Sequence, residues 1–151
     1  MDANLASSLN NASENQHPIT VLKGRGFKMA CLNINSLTKH IDELRIALSN
    51  QCVDILAINK TKLDGSISDN EVTVEGYNII CRDRLVNGRF GGGICFYIKS
   101  NIYFILREDL EIKPLEILIE VRKLSSKPFV ISNCYRPPTY LWIFFLILIH
   151  F

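Results

Sequence analysis

The sequence predicts an α/β domain with mixed sheets, and three observations carry that reading. Two apolar runs near the start flank a helical stripe, which reads as a strand–helix–strand unit with a parallel strand pair. The runs that follow are rich in branched and aromatic residues and favour strands. They succeed one another without the regular helix alternation of a fully parallel fold, so a mixed-sheet layer or sandwich fits best.

Residues 1–26 begin MDANLASSLNNASENQHPIT, rich in Asn and Ser and without a long apolar run. This stretch reads as a flexible arm, since a secretory leader needs a basic start and an apolar core. From Phe27 the character changes. GFKMACLNIN suits a strand that ends in the polar pair Asn33 and Asn35, and Ser36 is then placed to cap a helix. Leu37, Ile41, Leu44 and Leu48 recur at spacings of three and four and share one helical face. His40 lies beside that stripe, where a boundary position fits better than a ligand. Asn50 closes the helix, and VDILAIN is a near-continuous apolar run, typical of a strand covered on both faces.

Asn59, Lys60, Thr61 and Lys62 follow at the carboxyl end of that second strand, the place where ligands usually sit in open α/β sheets. Topology alone therefore puts Asn35 and residues 59–62 at one crevice. Residues 65–70 are turn-like, VTVEGYNIICR gives short extended pieces, and RDRLVNGRFGGG is a charged loop with a turn signal at Asn87-Gly88. ICFYIKSNIYFIL, LEILIEV and PFVISNCY supply further strands. Gly91, Gly92 and Gly93 have two readings, a phosphate cradle of backbone donors or close backbone packing. The second is better, because the run precedes a strand and lacks the Lys-Ser/Thr of a P-loop. Arg82, Arg84 and Arg89 surround it, either as phosphate contacts or as a solvated charged loop.

With 151 residues, 48% of them apolar and 21% charged, the chain is one globular domain. A formal charge of +2 does not by itself argue for a nucleic-acid partner. The five cysteines include no CxxC pair and mostly sit in apolar runs, so each is expected to be a small buried hydrophobe in a reducing compartment.

The segments LNINSLTKHIDELR, DILAINKTKLD, GRFGGGICFYI and CYRPP, in that order, resemble the endonuclease/exonuclease/phosphatase superfamily. Within it they are most like the endonuclease domains encoded by non-LTR retrotransposons. The resemblance spans residues 27–139. It implies a partial four-layered α/β sandwich with mixed sheets, and a family activity of DNA phosphodiester hydrolysis with Mg²⁺ or Mn²⁺. Asn33 and Asn35 match the first active-site motif, where the second position supports metal or phosphate. Tyr135 matches a tyrosine near the scissile phosphate that stabilises developing charge. Lys60, Arg82, Arg84 and Arg89 are the candidate phosphate or nucleic-acid contacts.

Two departures stand out. The family's central metal-binding glutamate belongs to a motif like NETKL, whereas this chain reads NKTKL with Lys60 in that position. A hard divalent ion prefers carboxylate oxygen, so a cation there opposes the metal. No GDFN-like motif and no Asp-His pair follow YRPP. Residues 140–151 are instead an apolar tail, unrelated to the domain pattern. At twelve residues it is shorter than the roughly 17 to 25 needed to span a bilayer. A buried strand or helix, a membrane-associating stub and unrelated sequence all remain readings for it.

The expectation is a remnant of a metal-dependent DNA endonuclease without catalysis. The alternatives are a noncatalytic nucleic-acid or protein binding module and a translated gene fragment. DNA is the implied partner, no protein partner is indicated, and an intracellular location, nuclear or cytoplasmic rather than secreted, is expected.

Overall fold

The computed structural model describes residues 24–86, 89–111 and 116–135, and the backbone of 146–150; the side chains of 85–90 and 146–150 lie outside the described residues. Most of the expected arm and the first half of the apolar tail fall outside as well.

Strand β1 (Met29–Asn33), helix α1 (Leu37–Leu48) and strand β2 (Ile55–Asn59) form the expected unit, with β1 and β2 parallel and Asn33 opposite Asn59. A short helix α2 (Asp69–Val72) follows, then β3 (Tyr77–Arg82), β4 (Leu85–Val86), β5 (Arg89–Phe90) and β6 (Ile94–Lys99). Antiparallel β6 inserts between β2 and β3, which gives the first sheet its order β1-β2-β6-β3. Strands β7 (Tyr103–Leu106), β8 (Glu116–Arg122), β9 (Phe129–Cys134) and β10 (Leu146–His150) make a second, antiparallel sheet ordered β10-β9-β8-β7. The apolar tail thus contributes a strand paired with β9, Leu146 opposite Asn133. Strands β4 and β5 pair in a separate two-stranded ribbon, and the architecture is mixed α/β built on two four-stranded sheets, as expected. Among the described residues no helix is long and apolar enough to cross a membrane.

Two cores follow from strand alternation. Leu37, Ile41, Leu44 and Leu48 of α1 are buried against Leu56, Ile58, Cys95 and Tyr97 on one face of the first sheet. Ile55, Ala57, Ile94, Phe96 and Ile98 on the other face pack against Ile117, Ile119, Val121 and Ile131 of the second. Every residue of β2 is buried, because both of its faces are covered. Tyr97 and Tyr77 reach through the first core to give their hydroxyls to the Val72 and Val53 carbonyls, at 2.6 and 2.7 Å. Desolvation pushes the Tyr77 phenol up to about 12.

Four sequence expectations need correction. Ser36 stands at the start of α1, but its side chain makes no capping bond; its Oγ lies 3.3 Å from Thr38 Oγ1. The Thr61 carbonyl instead accepts the Leu37 N–H at 2.7 Å, so a neighbouring loop closes the helix end. ICFYIKSNIYFIL is two strands, β6 and β7, which turn at residues 100–102 and enter different sheets. Part of the turn-like stretch is helix α2, held by a capping box in which Glu71 accepts from the Ser68 N–H at 3.0 Å. The uniform reading of the cysteines also fails. Cys81 and Cys95 are cross-strand partners joined by a disulfide, and Cys31 is exposed. Sequence separation hid that pair, because only the β3–β6 register sets the two side by side. The turn signal at 87–88 lies outside the described residues.

Candidate functional site

The parallel pairing of β1 and β2 brings the carboxyl ends of both strands to one edge of the molecule. Asn33 is exposed there and Asn59, opposite it, is buried. The Asn59 amide donates weakly to Cys31 Sγ at 3.6 Å, while its Oδ1 is buried without a hydrogen-bond partner. Such an acceptor is costly to leave unmet.

Beyond these ends the backbone is unusual. Asn35, Ser36, Lys60 and Lys62 have φ of 54, 145, 57 and 53°, a cluster of left-handed or otherwise sparse conformations in non-glycine residues. Cross-loop hydrogen bonds hold them in place. Ile34 N–H donates to the Asn59 carbonyl at 3.1 Å, and Lys62 N–H to the Gly92 carbonyl at 2.6 Å. Thr61 is fully buried, and its hydroxyl donates to Gly92 O at 3.3 Å. Strain of this kind collects where a chain is held for binding or chemistry.

The glycine run lies against this segment and settles its own reading. A Cβ on Gly93 would lie 2.3 Å from Thr61 Oγ1, and one on Gly92 would lie 3.0 Å from Arg84 Cδ and 3.2 Å from Tyr135 Cε1. Close packing explains both glycines, and the Gly92 carbonyl acts as an acceptor rather than as part of an anion cradle. Arg84 lies over the Tyr135 ring at 5.6 Å from its centroid, which fixes a cation and a phenol together at the mouth of the site. Asn133, two residues before Tyr135, ties the sheets together by donating to Ile58 O at 3.3 Å and to Cys95 O at 3.0 Å.

The predicted residues therefore separate into groups. Asn33, Lys60, Arg84 and Tyr135 gather around the strand ends, with Asn35 exposed on the following turn. Arg82 serves the fold: its guanidinium pairs with Glu111 and donates to the Glu116 carbonyl at 2.5 Å. Arg89 has backbone in β5, and its side chain lies outside the described residues. Sequence reasoning missed Asn133, which looks ordinary in a strand until the sheets are packed; it placed Thr61 at the crevice but not its contact with the glycine run.

A divalent metal does not fit the residues present. Among the described residues no group of three or more His, Cys, Asp or Glu could hold an ion. The polar side chains at the strand ends are neutral amides, a hydroxyl and lysines, a poor donor set for a hard divalent ion. Asp64, the nearby acid in the same loop, accepts from Ser66 N–H at 2.9 Å and from its hydroxyl, which lowers its pKa.

No protein-family model matches the chain, and no curated protein matches it either. Solved structures do. The endonuclease domain of TRAS1, a telomere-specific non-LTR retrotransposon, superposes with a TM-score of 0.51 at 11% identity, over 76% of this chain and 47% of that one. A 3′ phosphatase, NExo, from Neisseria bound to a product DNA hairpin gives 0.48 at 16% identity, over 73% and 41%. An AP endonuclease from Archaeoglobus fulgidus gives 0.46 at 16% identity, over 73% and 41%. The chain spans about half the length of the solved structures it matches.

Proposed function

Given that the chain has the fold of the endonuclease/exonuclease/phosphatase superfamily, on the retrotransposon-endonuclease pattern, we propose that it is the remnant of a divalent-metal-dependent DNA endonuclease. It keeps the phosphate-facing end of that fold and lacks the hydrolytic chemistry. The observation that carries this reading is Lys60. It follows β2 directly, in a strained turn beside Asn59, and replaces the carboxylate that a hard metal would need.

A second reading, a noncatalytic nucleic-acid module, is favoured by Arg84 held over Tyr135. On it Lys60 acts as a point charge for a phosphate and Arg84 as a planar donor. Asn33 and Asn35 then contribute amide contacts in place of metal ligation. Either role places DNA as the partner and the protein inside the cell, in the nucleus or cytoplasm.

The test is nicking of supercoiled plasmid by a monodisperse, folded fraction of the full chain, with Mg²⁺ or Mn²⁺ and with a chelator. The expected outcome is no metal-dependent nicking by the parent chain. Metal-dependent nicking that changes in Lys60→Ala would overturn the remnant reading and require a rebuilt metal site.

A further inference from the structure

At the end of the strands away from Asn33 and Tyr135 lies an open groove of about 490 Å³. It forms where the start of β1, the β6–β7 turn and the end of β8 meet, and its walls include Phe27, Asn101, Tyr103, Arg122 and Lys123. A strand's length, roughly 15 Å, separates it from the crevice described above. We propose that this groove binds single-stranded nucleic acid, stacking a base on Tyr103 and carrying phosphates on the surrounding cations. The inference does not rest on the endonuclease-remnant reading, which concerns the opposite end of the molecule.

Charge comes first. Arg122 and Lys123 line the groove together with Asp54, Arg25 and Lys28 flank its wall residues Gly26 and Phe27 in the chain, and Lys127 shares the β8–β9 turn with Lys123. Lys99 and Glu120 adjoin it through their ion pairs with Asp54 and Arg122, so cations outnumber carboxylates here. Both carboxylates are already engaged. Asp54 pairs with Lys99 at 3.3 Å and accepts the Lys28 backbone N–H at 2.7 Å, while Glu120 pairs with Arg107 and Arg122 at 2.6 and 2.7 Å. Lys127 is exposed at the β8–β9 turn, and among the described residues no carboxylate pairs with it or with Lys123. A corner with this excess attracts a polyanion.

Aromatic placement supplies the rest. Tyr103 is 64% exposed although it begins a paired strand, opposite Arg122. Phe27 packs edge-on against Phe129 at 5.4 Å and has Lys123 Nζ 4.7 Å from its ring. An exposed ring beside cations suits an unpaired base, whose face is free to stack, better than a duplex with its bases already stacked. Leu124, almost wholly exposed at the turn, suits an anionic membrane surface instead.

Fluorescence anisotropy of the full chain with a labelled oligothymidylate at low salt tests the proposal. Binding is expected, weakening linearly on a log–log plot as salt rises. The double variant Lys123→Glu/Lys127→Glu and the single variant Tyr103→Ala should each weaken it by about tenfold or more, and Tyr103→Phe should retain it. Lys39→Glu, on the exposed face of α1, should leave it unchanged. No binding by the parent, no effect of charge reversal, or a loss in Arg84→Ala without one on charge reversal overturns the proposal. Sedimentation with phosphatidylserine vesicles that charge reversal abolishes, without oligonucleotide binding, overturns it in favour of a lipid surface. Far-UV circular dichroism of each variant separates lost binding from lost fold.

Discussion

Lys60 concentrates the chemical question in one side chain. A positive charge at the carboxyl end of β2 opposes a cation and favours a phosphate, so Lys60→Glu reverses both preferences at once. In that variant Mn²⁺ affinity, followed by electron paramagnetic resonance titration, should rise by about tenfold or more, a change of about 1.4 kcal/mol. Binding of a labelled DNA at the crevice should weaken by a similar factor, read by anisotropy at low salt. Unchanged Mn²⁺ affinity would remove this position from any metal site, past or present. The place of Lys60 just after β2 was legible in the sequence, because the apolar run VDILAIN leads straight into it. Asn133 was not. Its role depends on carbonyls of Ile58 and Cys95, residues 75 and 38 positions away, that only sheet packing brings within 3.3 and 3.0 Å.

Among the elements, the glycine run makes the sharpest claim. Gly93 has φ of 79° and no room beside Thr61, whereas Gly91 has nothing within 4 Å of its Cβ position. Gly93→Ala should therefore destabilise the fold by about 2 kcal/mol or more, and Gly91→Ala by less than about 0.5 kcal/mol. Denaturant titration of the pair checks this, and equal costs would show that the glycines pack otherwise. Helix α1 and strand β2 were readable beforehand, one from a stripe with a helical period and the other from an unbroken apolar run. Element boundaries set by tertiary contacts were not. Nothing local in ICFYIKSNIYFIL announces that β6 and β7 belong to different sheets, since both halves have the same strand propensity. The helix cap failed for a related reason, because a carbonyl from another loop satisfies the donor that Ser36 was expected to meet.

For the molecule as a whole, acid should be the sensitive direction. Arg122, and then Arg107, hold the Glu120 carboxyl below its ordinary pKa, and Arg107 does the same for Asp109. A depressed carboxylate contributes stability that is present above its unfolded pKa and is lost as pH falls through the folded one. Denaturant midpoints should thus hold steady near neutrality and fall as pH drops through roughly 5 to 3, with a shallower fall in Glu120→Gln. A fall no shallower in that variant would place the acid-sensitive groups elsewhere. The overall layering was legible from the order of strand-like runs and from the family resemblance. The cross-strand bond between Cys81 and Cys95 was not, and it changes what a broken chain would look like. Arg82, Arg84 and Arg89 all lie between the two bonded cysteines. A single tryptic cut after any of them yields two fragments that stay covalently joined. On an electrophoretic gel the nicked protein should run as one band near 17.2 kDa until thiol is added, and then as two. Two bands without thiol would mean that the bond is open in solution.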